Sequence, residues 1–181
     1  IATVSSYLLG NSVYQFSITI GLFMFAMGIG SYLTKRIEAN LVERFIIIEI
    51  AVAIIGGLSS VTLFVVFPYE AVYQSSMYLL IMVIGTLVGL EIPILTRILS
   101  NRAALKESIA HVLSIDYVGA LIGSVSFPIL LLPTMGLFRS SFAIGLLNIG
   151  VATVTIMAFG RSINRFNTLL ATSVGGFVLL V

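Results

Sequence analysis

Six long apolar runs, separated by short polar loops, limit what this chain can fold into more than any other feature. They cover residues 11–32, 45–67, 77–96, 109–132 and 137–159, and a sixth starts near Phe166 and is still apolar at Val181. About 20 helical residues cross a bilayer core about 30 Å thick. Inside lipid no water serves the backbone N–H and C=O groups, so only helices and closed barrels span it. A barrel would alternate apolar and polar residues over segments of roughly ten, and no stretch here does so. The chain is therefore predicted to be all-α. It is expected to form a polytopic transmembrane helix bundle, a single domain over residues 1–181 excised from a longer protein, with six apolar segments visible and the last truncated. A soluble alternative fails on composition. Charged residues make up 9% of the chain and hydrophobic ones 59%, whereas soluble domains carry about 25% charge.

The loops set the direction of the helices. Those after the first, third and fifth runs hold Lys35, Arg36, Arg44, Arg97, Arg102, Lys106, Arg161 and Arg165, and those after the second and fourth hold only Arg139. Lys and Arg gather on the cytoplasmic side. Loops 33–44, 97–108 and 160–165 are accordingly expected in the cytoplasm, with residue 1 outside. The net charge of +2 resides in these loops, which argues for topology and not for nucleic-acid binding. There is no cysteine, so no disulfide and no thiolate metal site, and no Trp, so the seven tyrosines must serve any aromatic belt.

Three acids interrupt the apolar runs. Glu49 follows Arg44 at the inner end of the second run, Glu91 precedes Arg97 at the inner end of the third, and Asp116 lies near the start of the fourth. At about 1.5 Å per residue each sits roughly 7–11 Å inside the cytoplasmic boundary. A carboxylate at membrane depth costs several kcal/mol unless it is paired, hydrated or protonated. Turned toward one another, the three form an acidic layer. Three roles are open: a site for a cation or polyamine, a proton carrier, or a set of ion pairs with Arg36, Arg97 and His111. His111 has no second His or Cys to share a metal, and its expected partner is Glu107, one turn away.

Other residues carry weaker signals. Pro93 and Pro128 each remove a helical hydrogen bond and free a carbonyl, near Gly89 and Ser124. Such a break is either a packing kink or a place for an ion. Gly85-x-x-x-Gly89 and Gly119-x-x-x-Gly123 suit close helix approach, and the two are expected to face each other. Asn148 is expected to make an interhelical hydrogen bond. The segment ends MGIGSYLTKRI (27–37) and VGLEIPILTRI (88–98) echo each other, and shared helix-end composition accounts for this more readily than an internal repeat. There is no P-loop, no GxGxxG followed by an acid, no HExxH and no GxSxG. No complete active site of a soluble type is expected, and no cofactor.

Three stretches carry a family resemblance: SYLLGNSVYQFSITIGLFMFAMGIGSYLTK (6–35), GTLVGLEIPILTRIL (85–99) and LSIDYVGALIGSVSFPILLLPTMGLFRSSFAIGLLN (113–148). They resemble the membrane domain of bacterial membrane-bound spermidine synthases, polyamine aminopropyltransferases with several transmembrane helices ahead of a soluble synthase domain. The resemblance implies a helix before the first run and a soluble domain after the last. It also implies the bacterial inner membrane as location, with the lipid bilayer and the chain's own synthase domain as partners. Decarboxylated S-adenosylmethionine and putrescine would bind in that Rossmann-like domain, none of whose motifs is here. By the charge count the sixth run exits outside, whereas the synthase should meet its substrates in the cytoplasm. Either that run does not simply cross, or another span follows, or the soluble domain lies elsewhere.

The expected function is thus an integral membrane domain that anchors a polyamine aminopropyltransferase and binds or passes a polyamine through Glu49, Glu91 and Asp116. The alternatives are a secondary transporter for a small cation and a purely structural anchor with every acid paired.

Overall fold

The computed structural model describes residues 1–100, 105–160 and 165–181, with side chains described except at 70–71 and 105–108. All regular elements among them are helical. The order is α1 (Ala2–Leu9), α2 (Ser12–Leu33) with a closing 3-10 turn (Thr34–Arg36), α3 (Leu41–Val66), α4 (Glu70–Ser100), α5 (Leu105–Ser126), a π turn (Phe127–Leu131), α6 (Leu132–Phe159) and α7 (Phe166–Leu180). Four helical stretches are long and apolar enough to cross a membrane: Ser12–Arg36, Leu41–Val66, Val72–Ser100 and Ile109–Phe159. The last, at 51 residues, joins the fourth and fifth runs without a loop. Gly136 breaks it at φ 71 and ψ −176, a backbone conformation open to glycine and closed to residues with a Cβ.

Pairings along the helices show that the bundle runs up and down. The Phe138 and Phe64 rings lie 4.5 Å apart, Ser141 Oγ and Ser60 Oγ 2.5 Å apart, and Ile156 shares a cluster with Ile46. Numbers rise on α6 as they fall on α3, so the two are antiparallel. α7 returns along α6, with Thr153 Oγ1 2.7 Å from Ser173 Oγ and Gly176 against Ile149. By contrast α2 and α4 are parallel: Gly85 abuts Ala26 and Phe23, and Gly89 abuts Met27 and Gly30. The echoing segments at 27–37 and 88–98 therefore lie side by side.

This packing corrects one expectation. Gly85 and Gly89 close against α2, not against Gly119 and Gly123 of α5, whose Cα positions have nothing within 4 Å of an added Cβ. α5 is also exposed on nearly all its faces from Ile115 to Val125. The two prolines behave differently. α4 continues through Pro93, while the N–H missing at Pro128 falls at the π turn, a local widening of the helix that accommodates such a gap.

The short helix α1 was not foreseen from the apolar runs. Gly10 at φ 71 and Asn11 at φ 46 turn the chain, and Asn11 Oδ1 caps α2 by accepting from the Tyr14 N–H at 3.3 Å. α1 then lies back along the bundle. Tyr73 Oη donates to Ser5 Oγ at 2.9 Å, and Ser5 Oγ donates to Met77 Sδ at 2.7 Å. Both partners are buried, so the pair fixes α1 on α4 where no solvent competes. At the far end Lys35 Nζ sits 4.4 Å from the centre of the Tyr32 ring.

Candidate functional site

The helical repeat brings the three predicted acids together. On α3, Phe45 and Glu49 are one turn apart and share a face; on α4, Glu91, Leu95 and Leu99 do the same. These faces, with His111, Ile115 and Asp116 of α5, enclose a cavity of about 220 Å³. Glu49 is 7% exposed. Glu91 is half-buried, and its Oε1 is inaccessible with no hydrogen-bond partner among the described residues. Asp116 and His111 are exposed and form the open, α5 side of the cavity.

The predicted cations are placed differently. Arg97 turns to the end of α2: its Nη1 donates to the Ile37 carbonyl at 2.5 Å and to the Thr34 carbonyl at 3.3 Å. Those carbonyls lie in and just after the 3-10 turn that closes α2; the Thr34 carbonyl also accepts from the Ile37 N–H at 3.0 Å, and a guanidinium suits the remaining lone pairs and the negative end of the helix dipole. Arg36 is exposed in the closing 3-10 turn. Of the six predicted residues, Glu49, Glu91, Asp116 and His111 share the cavity, while Arg36 and Arg97 do not line it. The pairing expected between His111 and Glu107 lies outside the described residues, as do Arg102, Lys106 and Arg161.

The cavity combines carboxylates with apolar walls, Phe45, Ile92, Leu95, Leu99, Val112 and Ile115. Among the described residues no three acids or histidines are grouped closely enough to hold a single metal ion. Charge spread along an apolar surface suits an organic cation with ammonium groups separated by methylenes. Each ammonium can meet a carboxylate in a charge-assisted hydrogen bond while the carbon chain lies on the aliphatic wall.

A second cavity, of about 310 Å³, lies further along α3 and α4 and is bounded also by α1, α2 and α6. The polar side chains that line it are uncharged: Thr3, Thr19, Ser59, Ser60, Ser141 and Asn148. Thr19 Oγ1 is buried without a hydrogen-bond partner among the described residues. Asn148, expected from the sequence to make an interhelical hydrogen bond, lines this cavity. The signal for the serines in the sequence is the adjacent pairs Ser59-Ser60 and Ser140-Ser141 within apolar runs.

Relatives supply the remaining information. A polyamine aminopropyltransferase of Leptospira interrogans is 49% identical over 150 residues, covering 83% of this chain and 30% of that protein. Polyamine aminopropyltransferase 2 of Ralstonia nicotianae is 43% identical over 159 residues, covering 86% of this chain and 31% of that protein. A polyamine aminopropyltransferase of Oceanobacillus iheyensis is 39% identical over 166 residues, covering 90% of this chain and 32% of that protein. The chain spans about 30% of the length of these curated relatives. No family model matches it, and no solved structure does. Identity of this extent through the helices that build the acid cavity places the chain, as a membrane-type helical domain, in the polyamine aminopropyltransferase family.

Proposed function

We propose that this chain is the integral membrane domain of a polyamine aminopropyltransferase, and that it both anchors the catalytic domain and holds a polyamine in the cavity of Glu49, Glu91 and Asp116. The aminopropyl group would come from decarboxylated S-adenosylmethionine, on a domain that carries the catalytic residues. The chain's part is to bind the polycation at the bilayer, with its basic loops in the cytoplasm of a bacterial inner membrane.

One observation carries the reading. Glu91 offers a carboxylate oxygen with no partner among the described residues, inside a cavity shared with Glu49 and Asp116. A carboxyl oxygen so placed is expensive to charge in a bilayer, and such residues as a rule mark a substrate or ion path. A polyamine supplies two or more ammonium groups on one apolar chain, matching both the carboxylates and their aliphatic surroundings. Similarity to proteins named for polyamine chemistry points the same way.

Titration of the purified protein in detergent with putrescine and spermidine, read as a shift in thermal unfolding, tests this. Ligand at 100 times Kd stabilises the folded state by about 2.7 kcal/mol, so saturable stabilisation is expected. It should weaken at least tenfold in Glu49→Gln and Glu91→Gln. No shift at millimolar ligand, or an unchanged midpoint in both variants, would leave the acids with a structural role only.

A further inference from the structure

The acid cavity and the neutral cavity are stacked along one groove. Phe45, Glu49, Val52 and Gly56 follow one another on α3 at spacings of four, three and four residues, the repeat of a single helix face. Ile84, Val88, Glu91 and Leu95 repeat the same spacing on α4. On each helix the inner pair lines the acid cavity: Phe45 with Glu49, and Glu91 with Leu95. Gly56 and Ile84 line the neutral one, and Val52 reaches it from the middle of the stripe. Between the residues that line the two spaces lies Val52, 8% exposed, in one apolar cluster with the half-buried Val88 and Leu87. Glu49 to Val52 is three residues, a rise of about 4.5 Å along the axis.

We propose that the two cavities are halves of one route through the bundle, closed at rest by the Val52–Val88 layer, along which a flexible alkyl polyamine moves between the acids and the opposite end. This rests on the reading of the acid cavity as a polyamine site. The chemistry of the path favours an amine over a metal ion. A bare cation finds no oxygen ligand in the valine layer and would cross it without compensation. A diamine keeps one ammonium on Glu49 or Glu91 while its methylenes lie in the layer and its other end enters the neutral cavity. There the acceptors are Thr19 Oγ1, which has no partner among the described residues, Asn148 and the Ser60–Ser141 hydroxyls. One turn further along α2 the buried Gln15 carries a second oxygen, Oε1, without a partner among the described residues, which continues the line of acceptors beyond the cavity.

The experiment pairs two readouts on the same purified protein. Equilibrium binding of labelled putrescine is measured in detergent, and its uptake is measured after reconstitution into liposomes. Wild type is expected to show saturable uptake above protein-free vesicles. Val88→Phe, which fills the layer, should lower uptake at least tenfold with binding within twofold. Val52→Ala, which thins it, should raise uptake severalfold, so the test does not depend on one variant folding. Glu49→Gln should lower binding and uptake together. Binding without uptake in both wild type and Val52→Ala would overturn the route and leave the binding site standing. Uptake indifferent to Val88→Phe or to Glu49→Gln would overturn it as well. Absence of binding in wild type would overturn the proposed function together with the route built on it.

Discussion

Two glycines of α2, two residues apart, should respond to the same substitution in opposite ways. A Cβ added to Gly30 would overlap the carbonyl oxygen of Thr86 and lie 2.9 Å from its carbon and 3.0 Å from Gly89 Cα. All three are α4 backbone atoms, which cannot swing aside as a side chain would. The methyl group therefore forces the two helices apart along a contact that runs from Phe23 to Gly30. Overpacking typically costs about 1–3 kcal/mol, and a clash with backbone belongs at the upper end, about 2–3 kcal/mol. Gly28 has nothing within 4 Å of its added Cβ. There Ala replaces Gly in a helix interior, which stabilises by about 0.5–1 kcal/mol. Gly30→Ala and Gly28→Ala should then differ by about 3 kcal/mol. Reversible unfolding in mixed dodecylmaltoside and SDS micelles, followed by far-ultraviolet circular dichroism, measures the difference directly. If both variants unfold at the same SDS fraction, the parallel α2–α4 contact described here is wrong.

Other substitutions probe separate parts of the fold. Arg97→Met should destabilise by about 1–3 kcal/mol, because it strips donors from the Thr34 and Ile37 carbonyls; polyamine affinity should hold steady in the same protein, and a large gain would show that Arg97 neutralises the acids instead. A double-mutant cycle on Ser60→Ala and Ser141→Ala should give a coupling of roughly 0.6 kcal/mol, the usual size for hydroxyl pairs between membrane helices, and a value of zero would deny the α3–α6 register. Gly119→Ala and Gly123→Ala should each stabilise by about 0.5–1 kcal/mol, as Gly28→Ala does, since neither added methyl meets a neighbour among the described residues.

The polar atoms inside the bundle explain why some residues were legible in advance and others were not. Glu49, Glu91 and Asp116 stood out because a charge within an apolar run is rare, and a helix repeat of 3.6 residues limits which faces they occupy. That they converge on one cavity depends on how α3, α4 and α5 rotate about their own axes. Arg97 shows the opposite case. Its sequence neighbourhood pointed to the acids, yet its side chain meets the end of α2, and only the parallel placement of α2 beside α4 brings that helix end within its reach. α1 was missed because eight residues are too few to read as a span, and what holds it is the Ser5–Tyr73–Met77 contact across 68 and 72 positions of chain.

What the sequence determined by itself was the class of solution: apolar runs of bilayer length, the alternation of basic loops and the acids placed among them. Those are local properties, decided by the hydration of each residue and the hydrogen-bonding needs of the backbone in lipid. Tertiary structure decided which small residues touch, that α2 pairs with α4 and α3 with α6, and that two cavities line up on the α3–α4 groove. Apolar helices in lipid gain nothing by burying one face over another, so hydrophobicity leaves their rotation and partners open. Steric fit at Gly30, Gly85 and Gly89, and the few polar atoms that must find one another, make that choice.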